Sequence, residues 1–425
     1  MNFAESVRFL YSLGHELKTV KWGLERIGAL LAELGDPHRK GRFIHVAGTN
    51  GKGSTCAMMA AALRVSGFRV GLYTSPHLAD PRERIQIEGR IIGQQAWTDA
   101  FEAVHSAAEM LLAREIIDAH PSFFETVTAM AFVAFAQAGV DVIVLETGLG
   151  GRLDATNVVL PELTVITPID FDHEAFLGSS LQSIAAEKAG IMKLGRPAVF
   201  AEQRPEASSI LERRALELEI PVTLSSQWLV KDLSMQKFGS KFLLSADKEI
   251  PIVCHLPGRH QVENARTAAS ALDVFGVSTA AISKGIEMAK WPGRLERVAE
   301  NPDIILDGAH NPAGARALAD YIRQHFISAG DPVRIVYGAM RDKAVDEVIG
   351  TLFPLAREVI LTTSNQPRAL DTGSLLEASD HPNMRVAAST AEALRMCAEN
   401  PMTTFVTGSL FLAGEARALL VPNAV

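Results

Sequence analysis

The chain has 425 residues, 48% of them hydrophobic, and a formal net charge of −8. That length exceeds what one hydrophobic core usually serves, so two domains are expected, and the acidic balance argues against a nucleic-acid-binding surface. Three scattered cysteines, a start without the signal-peptide pattern and the lack of any apolar run of ~18 residues argue against a disulfide framework, an export signal and a membrane span, leaving a soluble cytoplasmic protein.

Apolar residues at helical spacing from Phe3 to Leu34 predict two helices broken near Gly14. Phe43-Ile44-His45-Val46-Ala47 reads as a buried strand that runs straight into Gly48-Thr49-Asn50-Gly51-Lys52-Gly53-Ser54-Thr55. The helix that follows, from Gly53 to about Ser66, stops at Gly67. Strand 68–73 leads to Thr74-Ser75-Pro76-His77, and helices are expected over about 96–117 and 125–138. The apolar strand 142–145 ends in Glu146-Thr147-Gly148-Leu149-Gly150-Gly151. Strand 163–166 repeats the arrangement and ends in Thr167-Pro168-Ile169-Asp170-Phe171-Asp172-His173.

Composition changes at Trp291-Pro292-Gly293-Arg294, which places a domain boundary between about 294 and 302 and divides the chain into 1–295 and 296–425. Beyond it, strand 304–306 passes into Asp307-Gly308-Ala309-His310-Asn311-Pro312, with Asn311 as helix N-cap and Pro312 as first helical residue. Further strands are expected at 334–337, 359–361 and 404–406. Apolar runs alternating with helices predict an α/β protein. A P-loop nucleotide-binding, mostly parallel sheet domain comes first, and a smaller Rossmann-like α/β domain follows. Functional side chains belong at the carboxyl ends of such strands.

The turn at 48–54 presents backbone N–H groups, a helix N-terminus and Lys52 to one point, which suits nucleotide phosphates. Gly53 separates Lys52 from Ser54, so the spacing departs from the strict GxxxxGK[ST] form. Lys52 can follow charge as it moves between phosphates, and the Ser54 hydroxyl is placed to meet a divalent cation. Glu146, at the end of a buried strand, either ligates Mg²⁺ or serves as a salt bridge or cap. Asp170, Asp172 and His173 converge on the neighbouring strand end, where oxygen ligands favour magnesium and the imidazole is either a ligand or a structural hydrogen-bonder. Lys188 alone reads as a salt-bridged helical lysine. Asp307 accepts from a ribose, binds a cation or caps its own turn. Two such faces in one chain imply a cleft that closes to keep water from an activated intermediate.

These segments resemble the folylpolyglutamate synthases and dihydrofolate synthases of the Mur-ligase superfamily. The resemblance is carried by Gly48 to Ser54, Thr74-Ser75-Pro76-His77-Leu78 with Glu83-Arg84-Ile85, Phe123-Phe124-Glu125, and Glu146 through Asn157. It continues in Asp172-His173, Glu187-Lys188-Ala189-Gly190-Ile191, Gly258 through Asn264, Trp291 through Glu296, Asp307 through Pro312, Arg341-Asp342-Lys343 and Val406-Thr407-Gly408-Ser409-Leu410. It implies an ATP-dependent ligase that activates a pteroate or folate carboxylate as an acyl phosphate and joins it to L-glutamate. It assigns ATP to Gly48, Thr49, Asn50, Gly51, Lys52, Gly53, Ser54, Asn264, Arg294 and Asp307. Magnesium falls to Ser54, Ser75, Glu146, His173 and a carbamylated Lys188. Lys52, Lys188, His173 and His310 are the implied catalytic set, and Phe124, Glu125, Leu153, Asp154 and Ala155 the pterin-holding set. A monomer using ATP and Mg²⁺, with a monovalent cation as an additional option, and small-molecule substrates (dihydropteroate, folates, L-glutamate) complete the expectation. A bifunctional enzyme is the leading reading, a monofunctional folylpolyglutamate synthase the alternative. A P-loop ATPase acting as a switch is the reading from another class.

Overall fold

The computed structural model describes residues 1–13, 23–341 and 344–421. The break predicted near Gly14 and the Asp342-Lys343 pair lie outside them. Helices α1 (Phe3–Ser12) and α2 (Glu25–Glu33) precede β1 (Arg42–Ala47) and α3 (Lys52–Val65). Next come β2 (Val70–Tyr73), the short strands β3 (Ile85–Ile87) and β4 (Arg90–Ile91), α4 (Gln94–Ala113), α5 (Phe123–Ala138) and β5 (Val142–Glu146). The chain continues through β6 (Leu163–Ile166), α6 (Glu174–Leu177), α7 (Leu181–Ala189), β7 (Ala198–Phe200), α8 (Pro205–Glu217) and β8 (Val222–Leu224). These eight strands form one sheet in the order β4-β3-β2-β5-β1-β6-β7-β8, parallel from β2 to β8.

That order decides where the chemistry lies. β1 sits between β5 and β6, and β2 lies beyond β5. The loops after β1, β2, β5 and β6 therefore open side by side at one carboxyl edge, which carries Gly48 to Ser54, Ser75, Glu146 and Asp170 to His173. The helix behind the first of these, α3, is buried almost all round from Ser54 to Leu63. It is sandwiched between the sheet and α9 (Arg259–Val274) with α10 (Thr279–Met288). Small side chains permit this: a Cβ on Gly285 of α10 would lie 2.2 Å from the Ala62 Cα of α3. Outside this layer, β9 (Leu229–Gln236), β10 (Gly239–Ser245) and β11 (Glu249–Cys254) make a separate antiparallel sheet whose Phe242, Leu244, Ile250 and Ile252 join the same core. The sequence reading did not foresee this sheet.

The last stretch has its own sheet and core. β12 (Glu296–Ala299), β13 (Ile304–Leu306), α11 (Pro312–His325), β14 (Val333–Tyr337), α12 (Val345–Leu352) and β15 (Glu358–Leu361) come first. They are followed by α13 (Thr372–Glu377), β16 (Met384–Val386), α14 (Thr390–Glu399), β17 (Thr403–Thr407) and α15 (Leu410–Leu420). The strand order is β12-β13-β17-β14-β15-β16, antiparallel only at β12. The mixed, mostly parallel α/β architecture expected from sequence is the one observed. Among the described residues no helix is long and apolar enough to cross a membrane.

Candidate active site

The carboxyl edge of the first sheet and the β13–α11 turn of the last enclose a cleft of about 460 Å³. Gly51 closes the 48–54 loop as N-cap of α3 at φ 84°, and a Cβ there would lie 2.2 Å from Asn264 Oδ1. Glycine is thus required for both conformation and space. Lys52 Nζ donates to the carbonyls of Gly48 (3.2 Å) and Thr49 (3.3 Å), folding back over its own loop. Ser54 is buried, and its Oγ accepts from Gln261 Nε2 at 3.3 Å. Asn264 Nδ2 donates to Gln261 Oε1 at 3.0 Å, so α9 braces the loop from behind.

Glu146 is buried at the end of β5, and its Oε2 accepts from Ser75 N at 3.1 Å. Burial raises its carboxyl from the ordinary 4.5 to about 7 against the pull of Lys52, Arg294 and Arg84. Beside it the Ser75 hydroxyl is buried without a hydrogen-bond partner among the described residues. An orphaned hydroxyl, the Ser54 hydroxyl and a carboxyl made basic by burial form an oxygen-rich donor set of the kind that suits Mg²⁺. The residues therefore fit the ion that the resemblance implies.

Lys188, at the end of α7, is buried, and its Nζ donates to the Gly48 carbonyl at 2.8 Å. Burial, with Lys52 adding to it, lowers its ammonium to about 7 although Asp172 and Asp154 oppose the shift. Near neutral pH a substantial fraction of this amine is therefore unprotonated, the form that can add CO₂. The salt bridge read from chemistry alone is not found among the described residues, where the Lys188 amine meets a backbone carbonyl instead.

His173 stands at φ 52°, an uncommon conformation for a non-glycine residue, at the N-terminus of α6. Its Nε2 lies 3.8 Å from Asp172 Oδ2. The same carboxylate oxygen lies 3.6 Å from His310 Nε2 and accepts from Asn311 Nδ2 at 3.3 Å. Asn311 Nδ2 also donates to Asn50 Oδ1 at 3.0 Å, while its own Oδ1 caps α11 through Gly314 N. One asparagine thus joins the two sheets across the cleft, a role the sequence reading did not give it. Asp170 turns away from that group toward Arg316 Nη2 of α11 at 3.1 Å, and makes a second bridge.

Asp307 is buried with both oxygens accepting backbone N–H groups, Leu295 N and Ala309 N, each at 2.9 Å. It thus caps its own turn, one of the roles open to it from sequence. Burial still holds its carboxyl above the usual range despite Arg294. Arg294 Nη1 donates to the Gly293 carbonyl at 3.0 Å and lines the cleft with His310, whose Nδ1 lies 2.8 Å from the Gly308 carbonyl.

The pterin-holding set is divided. Phe124 packs at the cleft side of α5, where a Cβ on Gly148 would lie 2.5 Å from its ring. Glu125 is engaged internally. It forms a capping box with Ser122 and pairs with Arg26 of α2, the Nη2–Oε2 distance being 2.8 Å. Asp154 Oδ2 accepts from Gly148 N and Leu149 N (2.9 Å each), and its Oδ1 accepts from Thr156 N and Oγ1. It fixes the loop behind Glu146. Ala155 is buried in the core of that loop, and Leu153 is half-buried beside it.

Mostly parallel α/β sheets whose carboxyl edges face each other across a glycine-rich loop are the architecture of the Mur ligases, a class of ATP-dependent acid–amino-acid ligases. The Mur ligase middle domain matches residues 46–272, and the Mur ligase glutamate ligase domain matches 293–410. The chain is 36% identical over 414 residues to a Bacillus subtilis protein named dihydrofolate synthase/folylpolyglutamate synthase, covering 94% of this chain and 95% of the relative. The structure superposes on a Mycobacterium tuberculosis folylpolyglutamate synthase solved with ADP and AMPPCP, with a TM-score of 0.90, 34% identity and coverage of 98% and 99%. It also superposes on the Thermotoga maritima folylpolyglutamate synthase with a TM-score of 0.87, 36% identity and coverage of 100% and 97%. The chain belongs to the folylpolyglutamate synthase/dihydrofolate synthase family, and its activity is the ATP-dependent ligation of glutamate to folate-type substrates.

Proposed function

We propose that this chain is a folylpolyglutamate synthase, which extends tetrahydrofolate and its glutamylated forms by one L-glutamate per ATP. The observation that carries the reading is the convergence of Lys52, Ser54, Ser75, Glu146 and Lys188 with Arg294, Asp307 and His310 on one cleft lined from both sheets. In this reading the folate carboxylate oxygen attacks the γ-phosphorus, the Pγ–O bond to ADP breaks, and an acyl phosphate forms. The glutamate amine then attacks the acyl carbon, phosphate leaves with the original carboxylate oxygen, and the amine releases its proton. Lys52 and the N–H groups of 48–54 hold the phosphates as charge shifts. Mg²⁺ held by Ser54, Ser75 and Glu146 would neutralise phosphate charge. A carbamate on Lys188 would replace a buried cation with an anion facing that ion. His310, bridged to Asp172, sits where the two sheets meet. The division into 1–295 and 296–425 belongs to this reading and is supported by the separate sheets and cores.

The polyglutamylating activity is favoured over a bifunctional enzyme because two polar groups expected to hold a pteroate, Glu125 and Asp154, are committed to Arg26, Ser122 and backbone N–H groups. The double name of the Bacillus subtilis relative supports dihydrofolate synthase activity as a second reading. The test is ADP formation with Mg-ATP and L-glutamate, comparing tetrahydrofolate with dihydropteroate and following products by mass. Glutamylation of tetrahydrofolate alone is expected. Glutamylation of dihydropteroate as well would restore the bifunctional reading, and turnover of neither would overturn the proposal.

A further inference from the structure

A cluster away from the cleft has no part in this chemistry. His105 and Glu109 lie one helical turn apart on α4, so both side chains leave the same face. His120 comes from the loop leading into α5. The ligand-capable atoms of the three lie within 4.8 Å of one another. Glu109 Oε1 is 4.0 Å from His105 Nδ1 and 4.0 Å from His120 Nε2. These two ring nitrogens are buried, and neither has a hydrogen-bond partner among the described residues.

The local structure sets the tautomer of one of these rings. His120 Nδ1 lies 3.0 Å from the Pro121 carbonyl, where only an N–H makes a hydrogen bond, so the lone pair of the neutral ring belongs to Nε2. A histidine that donates one nitrogen to a carbonyl and aims the other at a shared point is built as a metal ligand usually is. Phe9 of α1 packs edge-on against both imidazoles, with centroids 4.6 Å from His105 and 5.3 Å from His120, and Phe101 stacks on His105 at 5.4 Å. Aromatic packing thus orients both rings toward the shared point. Burial also lowers the His105 imidazolium, which favours the neutral, ligating form.

We propose that His105 Nδ1, His120 Nε2 and Glu109 Oε1 form a binding site for a divalent transition-metal ion of the zinc class, separate from the magnesium chemistry of the cleft. Two imidazoles and a carboxylate suit zinc, cobalt or nickel, whereas magnesium and calcium prefer oxygen donors throughout. Tetrahedral zinc with bonds of about 2.0–2.1 Å sets its ligands about 3.3 Å apart, so both 4.0 Å gaps to Glu109 have to close slightly. Glu109 is the most exposed of the three and can swing in to do so. The two imidazole nitrogens, within 4.8 Å of each other, have to draw together by a rotation of the rings. Water takes the open position. The bound ion would tie α4 to the loop that enters α5 and thereby stiffen the N-terminus carrying Phe123 and Phe124.

The test is Co²⁺ titration of the full-length protein with the cleft already filled by Mg²⁺ and a non-hydrolysable ATP analogue. Uptake of one Co²⁺ with the visible bands of a low-coordinate nitrogen/oxygen site is expected, together with a zinc-dependent rise in melting temperature that EDTA reverses. His120→Gln and Glu109→Gln should each weaken binding by roughly 10- to 100-fold or more, with ligase turnover and the metal-free melting temperature unchanged. His105→Asn is the second imidazole variant, should either of these melt early. Equal Co²⁺ uptake and spectra in wild type and variants, or no uptake by wild type, would overturn the proposal.

Discussion

Replacing Glu146 with glutamine should stabilise the ligand-free protein while abolishing its use of magnesium. The carboxyl sits at about 7 when its ordinary value is 4.5, which corresponds to about 3 kcal/mol of preference for the protonated form. The attraction of Lys52, Arg294 and Arg84 is already contained in that value. Between 4.5 and about 7 the folded chain keeps a proton that the unfolded chain has released, so this group makes stability fall as pH rises through that window. Above it the full cost of about 3 kcal/mol is present, and below 4.5 none of it is. Glutamine keeps an acceptor for Ser75 N and has nothing to ionise. In EDTA, urea unfolding followed by tryptophan fluorescence should find Glu146→Gln more stable than wild type by up to about 3 kcal/mol near pH 8.5 and equal to it near pH 4. Adding Mg-ATP should raise the wild-type midpoint far more than the variant's, and turnover should fall by about 10²–10³. A variant no more stable than wild type at the higher pH would refute the argument that burial of this carboxylate prepares the site for a cation.

Lys52→Ala should lower kcat/KM by about 10²–10³ with the melting temperature nearly kept, because the hydrogen bonds of Lys52 among the described residues go to carbonyls of its own loop; steady-state kinetics beside a thermal melt will show it. Lys188→Ala should lose most activity and regain part of it with small carboxylic acids, and wild-type rates without them would rule out a carbamate role. Arg26→Ala leaves the buried Glu125 carboxylate without its cation and should cost about 3–5 kcal/mol in urea unfolding, most of it recovered when Glu125→Gln is added.

Much of the fold was legible because its parallel strands are continuous apolar runs ended by glycine or polar turns. Strands 163–166 and 304–306 fall where the sequence places them, β1, β5, β14 and β15 are one residue longer at one end, and β17 is one residue longer at both. The expected strand 68–73 begins at Val70, because Phe68 N still bonds back to the Leu63 carbonyl and Arg69 N donates to the Asp141 carboxylate in place of a ladder partner. The predicted helix 96–117 runs Gln94–Ala113, and that predicted at 125–138 starts two residues earlier because Ser122 caps it. What stayed hidden was short or half-exposed: β7 and β8 are three-residue strands, and β9 alternates exposed with half-buried positions over one weakly apolar face. At the site, strand-end positions could be read, but the direction of each side chain could not. Asp172 and Asp170 are two residues apart, yet one faces His173, His310 and Asn311 and the other faces Arg316. Asn311 was legible as a cap through its oxygen, while its amide nitrogen's reach to Asn50 depends on a contact across 261 positions. Arg26 gave no signal, since its partner lies 99 residues away.

The central claim is that a folate carboxylate is activated by phosphoryl transfer and then captured by glutamate. The most direct measurement follows ¹⁸O from a tetrahydrofolate labelled in its side-chain carboxylates, during turnover with unlabelled ATP and L-glutamate in unlabelled water. The account predicts one ¹⁸O in each phosphate released, matched by one glutamyl addition to the folate. Glutamylated product accompanied by phosphate free of label would contradict it.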